Sequence, residues 1–372
     1  MNTNYLSSSD LHRALMLRDL SDPEQGPHAI QVLLEHVVAS LTTAWACSTA
    51  TVRNPPIVAV RDNYDRLGFN ARDITRDARY TRYVSPTTML RSHTSADIPH
   101  TLEGYRGSAG SVDELIVIPG LVYRRDVVDR THVGEPHQVD LWRVRSTPDT
   151  TDADLDQMIR LLVDAVLPGA RYRTVAQAHA YTENGSQIDV WHDGEWMEIA
   201  ECGRIHPTVL SGSGLDPSQW SGLALGMGLE RALMLRKGIP DIRYLRSAEP
   251  RIADQLQDLT PWRSVSMLPA ITRDLSVVVD ADTDDEDIGD TVRSALRHRV
   301  QDIESVLVLT RSAYHELPPQ AQLRLGITPT QANCLVRLTL RPLARTLTDV
   351  EANAIRNDVY LALHRGPVPE LA

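Results

Sequence analysis

Gly222-Leu223-Ala224-Leu225-Gly226-Met227-Gly228-Leu229-Glu230-Arg231 is the stretch on which the fold turns. Its first half is small and apolar and reads as a buried strand. From Leu229 the spacing predicts a helix to Lys237, stopped by Gly238 and Pro240. Glycines at a strand-to-helix junction let a ligand approach the backbone. The Gly226-x-Gly228 pair is half of a dinucleotide fingerprint. Arg231, however, stands where the third glycine belongs, and no parallel βαβ pattern surrounds it. An arginine one turn into the helix can lie flat over an adenine ring. A glycine-lined packing contact with a surface arginine fits the same residues.

Upstream, Leu115 to Pro119 reads as a strand running into Val122-Tyr123-Arg124-Arg125-Asp126. A loop follows, Val127 to Glu135, and His137 to Val144 alternates as a second strand: an antiparallel hairpin with a long connection. An arginine at the end of a strand can aim its guanidinium at a phosphate. Gln138 and Asp140 share one face of the second strand, and such an acceptor pair can hold an ammonium group. A solvated face of arginine and aspartate is the alternative. Further strands are expected at Arg171 to Val175, Gln187 to Trp191 and Trp196 to Glu201, with helices at 10–20, 28–45 and 155–166. Ile57 to Val60 is expected as a strand, followed by loop and short helix from Asn63 to Arg79. The expectation is an α+β domain over 1–262, an antiparallel sheet flanked by helices. After Pro261-Trp262 the order strand (275–279), helix (288–300), strand (306–309), strand (334–340), helix (349–363) is most of a ferredoxin-like unit over 263–372. Its last strand has only the residues after Arg365 to come from.

Composition narrows the classes. With 42% hydrophobic and 23% charged residues in 372, the chain is an ordinary globular one with room for two domains. No apolar run is long enough to span a bilayer, no secretory signal is seen at the N-terminus, and a cytoplasmic location is expected. Cys47, Cys202 and Cys334 lie far apart, which argues against a zinc site or disulfide framework. A net charge of −11 argues against a general nucleic-acid coat. Lys237 is the sole lysine, so nearly all cations are arginines, the side chain suited to bidentate phosphate contacts.

Taken together, these segments resemble the phenylalanine–tRNA ligase family of class II aminoacyl-tRNA synthetases. Gly222 to Arg243 is similar to its motif 3. Tyr123-Arg124-Arg125-Asp126 with Asp129, Thr131-His132 and His137-Gln138 is similar to its motif 2. Leu90-Arg91-Ser92-His93-Thr94-Ser95 and Ile205-His206-Pro207-Thr208 resemble two further segments, and Pro269 to Asp349 resembles its ferredoxin-fold anticodon-binding domain. The organisation is similar to the compact single-chain form. The resemblance implies ATP-dependent activation of an amino acid with Mg²⁺, then transfer to tRNA. It implies that Arg124 binds the α-phosphate, His132 the outer phosphates, and Arg231 the adenine and γ-phosphate. Asp126, Pro136 and Gly228 would complete the ATP site. It implies that His93, Ser95, Gln138 and Asp140 surround the ammonium and carboxylate of the amino acid, with Ala224 at the pocket floor and His179 and Tyr181 in its wall. Glu198 and Glu201 are the candidate Mg²⁺ ligands. Lying three apart on a strand they are expected to face opposite sides, so that at most one serves.

Three positions depart from the family's pattern. Asp140 replaces a glutamate, Pro136 replaces an aromatic residue expected to stack on adenine, and His179-Ala180-Tyr181 replaces Phe-Pro-Phe. Phe69 is the one phenylalanine of the chain, so the pocket is expected to lack a phenylalanine wall. A histidine and a tyrosine there suggest a substrate other than plain phenylalanine, carrying a polar group. The other reading of the wall is that Trp142 or Tyr181 supplies it. Residues 263–372 hold 12 arginines, no lysine and 15 acidic residues, so a tRNA-binding face there must be local. Arg293, Arg297, Arg299, Arg337 and Arg341 are its candidates. Two further readings are a paralogue delivering an aminoacyl-adenylate to another acceptor, such as a carrier protein, and a non-catalytic tRNA-binding homologue. A homodimer is the favoured assembly, with a monomer, as in the compact form, the other.

Overall fold

The computed structural model describes residues 5–78, 80–108, 110–124, 129–265, 268–342 and 345–367. The chain divides into two units. One comprises Met1–Arg124, Glu135–Ile239 and Asp254–Trp262; the other comprises Arg125–Gly134, Pro240–Ala253 and Arg263–Ala372.

In the first unit, α1 (Ser8–Leu15) starts at Ser7, whose hydroxyl accepts from the Asp10 amide. Next come α2 (Ala29–Trp45), β1 (Ser48–Thr51), β2 (Ile57–Ala59), α3 (Val60–Asn63), β3 (Thr88–Leu90) and α4 (Ile98–Glu103). The hairpin read from sequence is β4 (Asp113–Leu121) and β5 (His137–Arg145). It is followed by α5 (Asp152–Val166), β6 (Tyr172–Ala176), β7 (Thr182–His192), β8 (Glu195–Ile205), α6 (Pro207–Gly212), β9 (Ser221–Gly228) and α7 (Leu229–Lys237). Seven strands form one sheet in the order β1-β4-β5-β9-β8-β7-β6. Every neighbouring pair is antiparallel except β1 with β4. Strands β1 and β3 and helices α4 and α6 are additions to the sequence reading.

Alternation sorts the two faces of this sheet. Ile116, Ile118, Trp142, Val144 and Ala224 pack with Ile98 and Leu102 of α4 and Val209 and Leu210 of α6. The opposite face carries Arg143, whose guanidinium lies over the Trp45 ring of α2, and α2, α5 and α7 pack together there. Asp193 and Gly194 both take positive φ and make the two-residue turn between β7 and β8. Gly238, at φ +71°, ends α7. The one lysine, Lys237, is buried at that end, and its Nζ donates to the carbonyls of Asp258 (2.7 Å) and Thr260 (2.6 Å). It caps a turn.

The second unit holds α8 (Pro250–Ala253), β10 (Ile271–Asp280), α9 (Asp285–Leu296), β11 (Ile303–Ala313), α10 (Pro319–Leu325), β12 (Gln331–Leu340) and α11 (Asp349–Leu363). Its three strands run antiparallel in the order β10-β12-β11. Cys334, Val336, Leu338 and Leu340 alternate inward on β12 against Ile288 and Val292 of α9 and Ile355 and Val359 of α11. Residues 368–372, from which a fourth strand was expected, lie outside the described residues. The segments 125–134 and 240–253 group with this unit, although the sequence reading drew the boundary at 262. Long-range polar contacts account for this. Glu304, 6% exposed, is paired with Arg130 and with Arg341. Arg243 donates to the carbonyls of Gln301 and Arg341, each at 3.1 Å.

Gly222 sits on β9 beside Val144. An added Cβ there would overlap the Arg143 carbonyl oxygen and stand 2.7 Å from the Ile205 Cδ1. Neither can yield, being backbone or packed core. Gly222→Ala is expected to destabilise the first unit by about 2–3 kcal/mol, read as a lowered thermal midpoint by circular dichroism. An unchanged midpoint would mean that the β5–β9 spacing is not as described.

Candidate active site

Two guanidinium groups from separate elements lie near enough to the Glu198 carboxyl for their charges to act on it. Arg124 stands three residues beyond β4, its Nε donating to the Ser92 carbonyl at 2.7 Å. Arg231 is the third residue of α7, which Gly228 opens in extended conformation, and its Nη1 donates to the Glu198 carbonyl at 3.1 Å. Burial and the nearby Glu201 push the Glu198 carboxyl above its ordinary pKa, while Arg231 and Arg124 both pull it down. Glu201 also feels Arg124. Burial drives its carboxyl up, but His179 and Arg124 outweigh that and hold it below the usual range.

Glu198 and Glu201 therefore share a side of the sheet, which corrects the sequence reading. The strict alternation assumed there fails at a β-bulge. Ile188 pairs with Ala200 and the next residue, Asp189, with Glu198, so Ile199 is an extra residue in β8. Ile199 and Ala200 are both buried, and the pleat is reset by one step. Among the described residues no group of three or more histidine, cysteine or acidic side chains is placed to hold a metal by itself. Two carboxylates do suit Mg²⁺ held jointly with substrate phosphates.

Beside Arg124 lies a buried polar network. Asp140, 2% exposed on β5, accepts from the Thr94 hydroxyl (2.5 Å), the Ser95 hydroxyl (2.8 Å) and the Trp142 indole N–H (2.9 Å). Burial nevertheless pushes its carboxyl above the usual range. His93 precedes this turn. The Asn63 amide nitrogen lies 3.3 Å from its Nε2, which must accept, so Nδ1 carries the proton. Among the described residues that buried Nδ1–H has no hydrogen-bond partner. Burial, reinforced by Arg124, lowers the His93 pKa to about 3. The ring is a neutral donor waiting for an acceptor.

The wall is aromatic. Tyr181 is stacked between Trp142 (centroids 5.8 Å, 24°) and His179 (5.9 Å, 25°). Phe69 lies 6.2 Å from Tyr181 and stacks on His93 at 5.6 Å. The expectation of a pocket without phenylalanine is thus overturned. The loop after α3 brings Phe69 into the wall, and no local pattern announces it. Trp142 supplies wall as well, on the same period-two face as Gln138 and Asp140. Burial, then Asp140 and Glu201, push the Tyr181 hydroxyl up, while Arg124 and Ser95 oppose them. His179 Nε2 stands 3.3 Å from Glu201 Oε2.

Gln138 is half-buried and pairs with Gly120 and Gly228, and Ala224 is buried opposite Trp142. Pro136 precedes β5 and accepts from the Val122 amide through its carbonyl at 2.9 Å. His132 belongs to the second unit, its Nδ1 2.8 Å from Asp129 Oδ2. Burial raises the Asp129 carboxyl, but hydrogen bonds from His132 and Thr131 prevail and bring it to about 2. Asp126 lies outside the described residues. Thr94 and Asn63, which orient Asp140 and His93, were not singled out from sequence.

A mainly antiparallel sheet thus carries Glu198 and Glu201 on one side, near the guanidinium groups of Arg124 and Arg231. Residues 20–256 match the family described as tRNA synthetases class II core domain (F), and the chain belongs to it. Class II synthetases generally use ATP and Mg²⁺. The chain is 35% identical over 201 residues to the phenylalanine–tRNA ligase alpha subunit of Prochlorococcus marinus (strain MIT 9313), covering 54% of this chain and 58% of that one. It is 33% identical over 245 residues to the alpha subunit of Mycobacterium avium (strain 104), covering 62% and 67%. It thus spans little more than half the length of the first of these relatives. A solved pyrrolysyl tRNA synthetase, Desulfitobacterium hafniense PylSc, aligns with 59% of this chain and 74% of its own at 19% identity and a TM-score of 0.45. No helix among the described residues is long and apolar enough to cross a membrane.

The His93 pKa has a measurable consequence. In the unfolded chain its imidazole takes a proton near pH 6.5, whereas the folded one does so at about 3. Its contribution to stability is complete above pH 6.5 and is lost as the pH falls towards 3. Imidazole NMR is expected to show His93 still neutral at pH 5. A titration midpoint near 6 would show that the ring is neither buried nor beside Arg124 in solution.

Proposed function

We propose that this chain activates an amino acid with ATP, releasing pyrophosphate, and passes the aminoacyl group to a tRNA. The observation that carries the proposal is that Arg124, anchored on the Ser92 carbonyl, and Arg231, anchored on the Glu198 carbonyl, both act on the charge of Glu198. In this reading an amino acid carboxylate oxygen attacks the α-phosphorus and the bond to the β-phosphate oxygen breaks. Arg124 offsets charge gathering on the α-phosphate, and Arg231 binds the adenine and the outer phosphate. The rate comes from placement and charge rather than from a covalent intermediate on the protein. Mg²⁺, held by Glu198 and Glu201 with the phosphates, would supply further neutralisation. The buried Nδ1–H of His93 is suited to an amino acid carboxylate, and Gln138 and Asp140 to the ammonium.

The second unit, with its ferredoxin-like strand order, is read as an anticodon-binding-like domain and the whole as a single-chain enzyme. One observation favours a second reading, an adenylate delivered to an acceptor other than tRNA. Several of the arginines proposed to meet tRNA are already engaged with carboxylates: Arg337 with Asp274 at 2.7 Å, Arg341 with Glu304 at 2.8 Å, and Arg299 with Asp358. A strong basic track is not evident among them.

ATP–pyrophosphate exchange tests the first step. Arg124→Ala and Arg231→Ala are each expected to lower its kcat/KM by about 10²–10³-fold, with thermal midpoints near the parent's. Exchange undiminished in both variants would remove the proposed roles. Charging of total tRNA separates the acceptors: adenylate formed without esterified tRNA favours the second reading.

A further inference from the structure

The geometry points to an amino acid with a small side chain as the substrate, because Trp142 occupies the space into which a larger one would reach. The inference rests on the activation reading above and concerns the other end of the same site. Gln138, Asp140 and Trp142 follow one another on one face of β5, each step being about 6.8 Å. With the ammonium held at Gln138 and Asp140, the side chain of the substrate extends over the next position on that face. There the indole is 0% exposed and paired across the sheet with Ile116 on one side and Ala224 on the other. An alanine at 224 leaves room above the sheet, and the indole fills it.

The indole is not free to step aside. Its N–H is spent on Asp140 at 2.9 Å and its face lies on Tyr181. Tyr181 is held in turn by His179 and Phe69, and Phe69 by His93. Neighbouring centroids in this chain of rings lie between 5.6 and 6.2 Å apart. A ring slipped between two parallel rings needs them about 7 Å apart, twice the thickness of an aromatic ring. Swinging Trp142 away would strip a donor from a buried carboxylate and a stacking partner from Tyr181. What remains above Ala224 suits a side chain of about one to three heavy atoms, the size of alanine, serine or cysteine.

Exchange of pyrophosphate into ATP, run on the full chain with each of the twenty amino acids, decides the matter. A small amino acid is expected to exceed phenylalanine by at least about 100-fold in kcat/KM. Trp142→Leu is expected to raise kcat/KM for phenylalanine at least about tenfold. Trp142→Phe, which keeps a ring in the stack, should admit valine or leucine, and thermal midpoints show that both variants fold. Phenylalanine or another ring preferred by the parent chain overturns the inference and leaves the activation reading standing. So does a folded Trp142→Leu that gains no larger substrate. Exchange with no amino acid at all overturns the activation reading, and this inference with it.

Discussion

Burying the Asp140 carboxylate obliges the chain to bring donors to it, and most of the site follows from how that is done. Two hydroxyls arrive from the turn at Thr94 and Ser95, and one indole N–H from its own strand. Leaving any of the three unmade would cost about 1–3 kcal/mol, since the charge has no bulk water to fall back on. The turn is therefore pinned to the sheet. Arg91, just before it, is pinned too, with Nη1 on Asp97 at 2.8 Å and Nε on the Leu121 carbonyl at 2.9 Å. Beneath it the backbone at Gly120 takes φ +150°, where a side chain would collide with the Arg91 guanidinium. With both ends of the segment fixed, His93 is presented towards Arg124 in one orientation.

Charge organises the other end of the site. Glu198 and Glu201 repel one another, and the arginines at 124 and 231 moderate that repulsion. The two carboxyls are driven in opposite directions because His179 and Arg124 favour the ionised form of Glu201, whereas burial and Glu201 itself oppose ionisation of Glu198. Such a balance is poised rather than satisfied. A polyanion brought to the arginines together with a divalent cation at the carboxylates would relieve both excesses at once.

Segments whose chemistry repeats locally were legible in the sequence. The β9–α7 junction shows in its change of period and its terminal glycine, the β4–β5 hairpin in alternation, and the order of the second unit in its apolar runs. What was misread has a common cause. The alternation argument placed Glu198 and Glu201 on opposite faces because it assumed an unbroken pleat. The bulge at Ile199 is a property of the β7–β8 pairing, hinted at only by two adjacent apolar residues. Phe69 reaches the wall from a loop, through contacts with His93 and Tyr181 that no periodicity encodes. The grouping of segment 125–134 with the second unit rests on Arg130 meeting Glu304, 174 positions later. Composition suggested arginines for phosphates, yet several of them spend their charge on neighbouring carboxylates.

The departures from the family's pattern at 140 and at the pocket are best understood as one physical change. An aspartate keeps its carboxylate close to the strand, where the indole two residues on and on the same face can reach it at 2.9 Å. A glutamate would carry the carboxylate a methylene further out, towards the ligand and away from that N–H. Shortening the acid thus creates an internal partner for a tryptophan, whose N–H joins the two hydroxyls on the carboxylate. Tyr181 fits the same arrangement. Its ring stacks on the indole that serves the same carboxylate. Restoring one member alone would strand the others. Glutamate at 140 with Trp142 in place would crowd the indole or leave its N–H unpaired, and a smaller residue at 142 would leave Asp140 short of a donor and Tyr181 without its stack. In the proposed reading the nucleotide end tolerates no such trade, because phosphates would dictate where its charges stand. The amino-acid end can be rebuilt as a unit, provided that every buried donor finds an acceptor.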